Sequence, residues 1–565
     1  MSEETEIDEL APWLVIVITL VGGFLRMILL GTKGMWLDET LSVWFASHTV
    51  PEMLQWVIRI DQHPPLYYLL LHYWMALYGD TAYDVRLLSV VFGTGTIPIM
   101  YLTGKRMSGT VMGVAAAVIL ALSPFHVYFA QETRMYTLLM FNAAAAVYAL
   151  VRLLTDSRST VAIGSQFRDA LRLKAWRTPV LPEQVIRSER EFTYKDETRT
   201  RTGWRAWILR YRWLPMRAIE TDLAWVAFIV FSAATMLSHN TAVFFPLATN
   251  IIVLGLMLFQ KIRKPGTQPV FQSPSSWNWV KAQIAILLLW GPWIFPFIKQ
   301  AETVYQRFWI PEPTWDLIIQ VLKSFLNASA PLPVGQTTLI WSLYVLVLCL
   351  GLVHFRKKFS QFLFLAALFT IPFLGELIVS MWRPIFWGRT LIWTTIPLFL
   401  LLAAGVAQVR FRFLIIMVLG SLVTINMFSV SDYFRFYQKE DWSSAAGYVA
   451  LFAEKDDLVL FNSNLVEIPF NYYFATYEEG YSIEVEKRGV PLDLFESRIA
   501  EPGMTTNDIP GLISLLSGHK RVWLVYSHNS YTDPMGLVPQ TLASRMKLTR
   551  TREFHGGQVQ LYENP

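Results

Sequence analysis

Of the 565 residues, 53% are hydrophobic and 15% aromatic, whereas only 16% are charged. That balance excludes an ordinary water-soluble globule and defines an integral membrane protein. The net charge of +5 sits in short basic stretches between apolar runs, which is the pattern of inner-leaflet flanks and not of nucleic-acid binding.

A helix needs roughly 20 apolar residues to cross a bilayer. Runs of that kind lie near 12–30, 86–104, 110–127, 134–152, 222–239, 241–260, 281–298, 337–355, 360–380, 390–408 and 413–430, so eleven spans are predicted. The first run has no A-x-A-like cleavage site behind it and leads straight into WLDET (36–40), so it reads as a retained helix. An amphipathic helix is expected from Glu39 to Ile60, followed by the short apolar stretch 64–78. Counting that stretch as a span would reverse the side of every later loop. It therefore reads as an interfacial helix, with Tyr67, Tyr68, Tyr73 and Trp74 at the headgroup boundary.

The basic stretches are Lys105–Arg106, 152–220, Lys261 with Arg263 and Lys264, Arg356–Lys358, and Arg410 with Arg412. They place the N-terminus in the cytosol and the chain after 430 outside, in a cell (plasma or inner) membrane. Segment 152–220 carries fifteen Lys and Arg against eight acidic residues, with Trp176, Trp204, Trp207 and Trp213 interspersed. It reads as a cytosolic amphipathic insertion on anionic lipid, or else as a partner-docking element. The loop 300–336, with Tyr305, Trp309 and Trp315, would anchor at the interface or clamp a ligand. The lone Cys349 excludes an internal disulfide. Residues 1–430 form the membrane module, and 431–565 a predicted external α/β domain. Its strands are expected at 457–461, 481–486 and 521–527, its helices at 441–454, 465–475 and 507–517, and a hairpin turns at Gly556–Gly557.

Five polar segments fall on one side of this topology: WLDET, DQHPPLYY (61–68), SPFHVYFAQETRMY (123–136), SHN (238–240) and WRPIFWGR (382–389). Charge beside hydrocarbon is costly and marks sites, so the candidates are Asp38, Glu39, Asp61, His63, Gln131, Glu132, Arg134, Tyr136, His239, Arg383 and Arg389. Each has a plainer reading as well. Asp38 could cap a helix, Glu39 could simply sit on its positive end, and Glu132 and Arg134 could pair to lower their burial cost. His63 could be an end cap, Tyr136 an interfacial aromatic and His239 a packed one, while His126 reads as structural. Asp61, His63 and Glu132 carry the ligand atoms that Mg, Mn or Zn accept, although their spacing is not diagnostic.

These segments resemble the GT-C superfamily of polyprenyl-phosphate-sugar glycosyltransferases, in the bacterial branch related to protein O-mannosyltransferases and the aminoarabinose lipid A transferase. The resemblance covers about 38–136. It rests on Asp38 and Glu39, the HPPLYY run from His63, RLLSVVFG from Arg86 and QETRMY from Gln131. WGRTLIWTTIP from Trp387 is similar to the family's Arg-Tyr step into a late span, with Thr390 in place of the aromatic. The resemblance implies a mainly α-helical polytopic fold. It also implies inverting transfer of a sugar from a polyprenyl-phosphate donor to a hydroxyl- or amine-bearing lipid, protein or glycan at the outer face. A phosphodiester leaves without the second acid that a glycosidase needs. In this reading Asp38 is the general base, Arg134 with Arg389 or Arg383 cradles the departing phosphate, and the other candidates bind substrate. The resemblance leaves the metal optional, as some relatives bind one and others do not. A transporter or flippase of lipid-linked sugars is the competing reading; clustering of charge at one face and the lack of two related halves weigh against it.

Overall fold

The computed structural model describes residues 3–156, 220–262, 271–303, 310–327, 334–481 and 484–564. The basic insertion, as 157–219, and the ring-bearing Tyr305 and Trp309 lie outside the described residues. The first helices are α1 (Glu3–Met27), α2 (Leu37–Ser47), α3 (Val50–Ile60), α4 (Leu66–Tyr78), α5 (Ala82–Ser108), α6 (Thr110–Ala121), α7 (Pro124–Ala130) and α8 (Tyr136–Thr155).

Among the described residues, eight helices are long and apolar enough to cross a membrane. Two more apolar helices, Thr221–Met236 and Ile392–Gln408, are shorter, and α6 with α7 makes one pair bent by 55°. Each of the eleven predicted runs falls on one of these elements, yet three do not reach the length of a straight span.

The bend between α6 and α7 has a local cause. Pro124 disfavours helix at the residue before it, and Ser123 begins a new helix by accepting from the His126 N–H. The carbonyls left open at the end of α6 are met by buried Arg26 of α1, which donates to Ala121 O at 2.9 Å and Leu120 O at 3.1 Å. A cation at a helix C-terminus also complements its dipole. Replacing Arg26 by Leu strips Ala121 O of its donor, at about 1–3 kcal/mol, and leaves Leu120 O with the longer bond from the Ser123 N–H. The thermal unfolding midpoint of the purified protein is expected to fall, and an unchanged midpoint would show that another donor serves them.

The predicted helix from Glu39 to Ile60 is two helices. Thr49 and Glu52 form a reciprocal capping box ahead of Pro51, so the chain starts a second helix there. Helix α4 forms where the interfacial helix was expected, but of the four rings assigned to the headgroup boundary Tyr67 and Tyr68 are fully buried and only Tyr73 is well exposed. Their hydroxyls have partners inside: Tyr67 shares a hydrogen bond with Ser89 and Tyr68 donates to Asp61.

The last long helix, Arg412–Phe436, leads through residues 437–441 into a domain built on a five-stranded sheet. Its strands are β1 (Leu458–Phe461), β2 (Glu486–Gly489), β3 (Arg521–Ser527), β4 (Lys547–Phe554) and β5 (Gly557–Glu563), in the order β2-β1-β3-β5-β4. β1 pairs in parallel with β2 and β3, while β5 runs antiparallel to β3 and β4 across a turn at Gly556. That glycine takes φ +97°, which a side chain would resist. The strand expected at 481–486 lies later, at 486–489, because β2 is an edge strand whose charged Glu486, Lys487 and Arg488 hide the alternation. Helices Trp442–Phe452 and Glu467–Tyr481 cover one face of the sheet, and Ile509–Leu516 with Leu537–Arg545 cover the other. β1 is consequently buried along its whole length.

Candidate active site

A cavity of about 1960 Å³ opens between the membrane helices and the C-terminal domain. Asp38, Asp61, His63, Glu132, Arg134 and Tyr136 line it, as do His239, Arg383 and Arg389. Of the residues expected to meet substrate, Glu39 and Gln131 do not face it.

Asp38 stands in the first turn of α2, two residues beyond the cap position at Trp36, so it is not the helix cap. Its Oδ2 accepts from the Arg389 guanidinium at 3.0 Å, and Arg134 Nε lies 3.9 Å away. Burial alone would raise its carboxyl, but Arg134 and Arg389 outweigh burial and hold it below the usual value. Arg389 in turn lies over the rings of Trp36 and Tyr136, at 5.8 and 5.6 Å from their centroids. The weaker sequence match around Arg389 is therefore brought directly to Asp38.

Arg134 is almost wholly buried and spreads its donors over α2 and α4. It donates to Asp38 O at 3.3 Å, Ser42 Oγ at 3.2 Å and the Tyr68 hydroxyl at 3.3 Å. The same hydroxyl donates to Asp61 Oδ2 at 2.5 Å, and His63 Nδ1 meets Asp61 Oδ1 at 2.9 Å. Burial pushes Asp61 up, but His63, then Arg134 and Tyr68, bring it down to about 2. The His63 ring packs edge-on against His239, 4.9 Å between centroids. His239 itself caps the short turn Asn240–Val243 through Thr241. Arg383 is tied to the backbone carbonyl of Ala301 at the cavity wall. His126 is buried against Thr395, away from the cavity, as a packing residue would be.

Glu39 comes one residue after Asp38, about 100° further round the helix, and turns into the protein. Arg86 grips it with both arms at 2.8 and 2.7 Å, Lys439 donates to it at 2.8 Å, and the Thr133 N–H adds a fourth contact at 2.9 Å. Arg86 also donates to the carbonyls of Leu30, Lys33 and Gly34, fixing the loop that leads into α2. Burial raises the Glu39 carboxyl, but Arg86 and Lys439 reverse that and hold it at about 2. Gln131 likewise points inward, donating to the carbonyls of Arg26 and Ile28 and accepting from Tyr433.

Glu132 lies 3.7 Å from Lys439, and neither of its oxygens has a hydrogen-bond donor in range among the described residues. Burial raises its carboxyl more strongly than Lys439 lowers it. Asp61, His63 and Glu132 thus do not come together: the first two bind each other, and the third faces Lys439. Among the described residues no three His, Cys, Asp or Glu side chains are grouped to hold a metal ion. The expected clamp residue Trp315 is four-fifths exposed and lies off the cavity.

Lys439 and Tyr68 were not singled out as site residues in the sequence. A lysine directly behind the final apolar run, in YQKEDW, is the available signal for the first. Arg26 is a comparable case, a lone charge inside an apolar run.

The many apolar helices, the cavity at one end of them and the α/β domain closing it define a multi-pass membrane protein of the GT-C glycosyltransferase fold. A family model described as "Dolichyl-phosphate-mannose-protein mannosyltransferase" matches residues 62–167. Among solved structures, ArnT from Cupriavidus metallidurans in the apo state is similar over 97% of both chains, at 12% identity and a TM-score of 0.57. ArnT bound to undecaprenyl phosphate covers the same shares at 11% identity and a TM-score of 0.54. The oligosaccharyltransferase AglB from Archaeoglobus fulgidus, in complex with an inhibitory peptide and a dolichol-phosphate, matches 98% of this chain and 74% of its own. Its identity is 8% and its TM-score 0.51. No curated protein matches the chain in sequence.

Proposed function

We propose that this protein is an inverting glycosyltransferase that takes a sugar from a polyprenyl-phosphate donor and passes it to an acceptor hydroxyl or amine on the extracytoplasmic side of the membrane. The observation that carries this reading is Asp38 held between Arg134 and Arg389 at the cavity surface. Support comes from the family match and from the relatives that carry undecaprenyl phosphate or dolichol-phosphate.

The resting ion pair suits the reaction. A donor phosphate competes with Asp38 for Arg389, because a guanidinium pairs as readily with phosphate as with carboxylate. Once Arg389 turns to the phosphate, Asp38 keeps Arg134 but loses one of the two cations that kept its basicity low. Base strength thus rises when donor is bound. Attack by the acceptor oxygen on the anomeric carbon breaks the bond to phosphate, Asp38 takes the acceptor proton, and Arg389 with Arg134 meets the charge on the leaving group.

The test is transfer in proteoliposomes from radiolabelled polyprenyl-phosphate sugars to lipid, glycan and protein acceptors. Labelled donor that crosses the bilayer unchanged would instead establish a transporter. Within that assay Arg389→Ala is expected to lower kcat by on the order of a hundred- to a thousand-fold. Because Arg389 holds the Asp38 carboxyl down, its loss also moves the acid limb of kcat/KM to higher pH. An acid limb left in place would mean that another group titrates there.

A further inference from the structure

Two segments of the C-terminal domain, the loop 498–503 and the helical turn opened by His528, line the same cavity as Asp38. Among the described residues five non-glycine side chains stand on a backbone of positive φ, and three of them are Arg498 (55°), Glu501 (47°) and His528 (54°) in these segments. A left-handed backbone outside glycine is strained and persists where surrounding structure enforces it. Here the enforcement is visible. Asn464 accepts from the Glu501 N–H at 2.8 Å and donates to the carbonyls of Ile499 and Leu492, while Ser527 Oγ holds His528 Nδ1 at 2.9 Å.

Two of these side chains, Glu501 and His528, stand with Tyr531 and Ser463 in a polar group, whereas Arg498 lies over the Trp56 ring, 5.1 Å from its centroid. Tyr531 and Ser463 both donate to Glu501 Oε1, at 2.9 and 3.0 Å, and among the described residues nothing hydrogen-bonds its Oε2. His528 Nε2 lies 3.4 Å from Glu440, whose other oxygen accepts the Leu37 N–H at the start of α2. The group is therefore tied to the helix that carries Asp38. None of it enters the chemistry described above.

We propose that Glu501, Tyr531 and His528 form the acceptor subsite and that it takes the hydroxyls of a carbohydrate acceptor; this rests on the transferase reading. A ligand pocket is usually about 300–1,000 Å³, so a cavity of about 1960 Å³ has room for a donor headgroup and a second molecule. A carboxylate accepts from hydroxyls and repels phosphate, and the cation of the same loop, Arg498, is engaged with the Trp56 ring, so the Glu501 end of the cavity suits an acceptor and the Arg134–Arg389 end suits the donor. The three groups adjoin one another, Tyr531 bonding Glu501 and its ring lying 6.0 Å from that of His528, which suits clustered sugar hydroxyls. An extended peptide would need a row of backbone partners.

The experiment is saturation-transfer NMR on the full chain in nanodiscs, with methyl glucoside and a blocked serine tripeptide as probes. Glucoside signals are expected from the wild type and from Asp38→Asn, and at least five-fold weaker ones from Glu501→Gln and Tyr531→Phe. Tyr531→Phe keeps the carboxylate and serves if Glu501→Gln fails to fold. In the transfer assay, Glu501→Gln should raise the acceptor KM about ten-fold while leaving the donor KM unchanged. Equal glucoside signals from Glu501→Gln and the wild type would overturn the subsite, as would a Glu501-dependent signal from the tripeptide alone. Glucoside binding that depends on Glu501 without any sugar transfer would sink the transferase reading and leave the subsite standing.

Discussion

Asp38→Asn is expected to cut kcat for sugar transfer by about a hundred- to ten-thousand-fold while leaving donor affinity close to that of the wild type. The amide keeps the shape of the carboxylate and its contact with Arg389, 3.0 Å away, but cannot take a proton. Because Arg134 and Arg389 keep Asp38 below its ordinary value near 3.8, the free wild-type enzyme retains its base across the whole neutral range. Its kcat/KM should fall on the acid side only below about pH 4, and this limb should vanish from the residual activity of the mutant. A mutant that transfers within a few-fold of the wild type would remove Asp38 from the reaction. Loss of donor binding in step with kcat would make it a binding residue instead.

Lys439→Met carries the largest expected effect on stability. Lys439 and Arg86 face Glu39 and Glu132 in a buried cluster of two cations and two anions. Breaking one buried pair by removing a single partner costs about 3–5 kcal/mol, because the charge left behind is uncompensated. The double change Lys439→Met with Glu132→Gln restores the balance and should recover much of the lost midpoint in thermal unfolding. A single mutant as stable as the wild type would mean that water reaches the cluster. The two acids respond to pH in opposite senses. Glu39, held at about 2, contributes stability that is complete above its ordinary value of 4.5 and disappears as pH falls toward 2. Glu132, raised by burial, weakens the fold when it ionises, so this part of the balance improves as pH falls. The net acid sensitivity of the wild type is therefore smaller than Glu39 alone would give, and Glu132→Gln should enlarge it.

Asp38, Asp61, His63 and Arg134 could be read from the sequence because each sits where a short polar motif interrupts apolar runs, and such residues have few places to go but a shared cavity. Glu39 and Gln131 belong to the same motifs and still turned inward. Neighbouring residues of a helix or tight turn point in different directions, so a motif names two candidates where geometry admits one. Lys439 was beyond local reading: its partner Glu39 is 400 positions away, and periodicity carries no information over that distance. Tyr67 and Tyr68 were assigned to the headgroup boundary by type, whereas Asp61 and Ser89 offered their hydroxyls better partners inside. Span lengths suffered from the same limit, since a proline at 124 and a buried arginine at 26 bend a run that composition alone leaves straight.

The segment 437–441 also sets a timetable. A ribosome delivers Asp38, Glu39 and Arg86 early, but Lys439 and Glu440 appear only after the last long apolar helix has been made. Until then Glu39 lacks one of its two cations and the Leu37 N–H lacks its acceptor. The nascent chain therefore inserts with the charge cluster behind α2 incomplete and closes it in the last quarter of synthesis. A change at Glu39 is therefore felt at Lys439, 400 positions further along the chain, although no local motif joins the two.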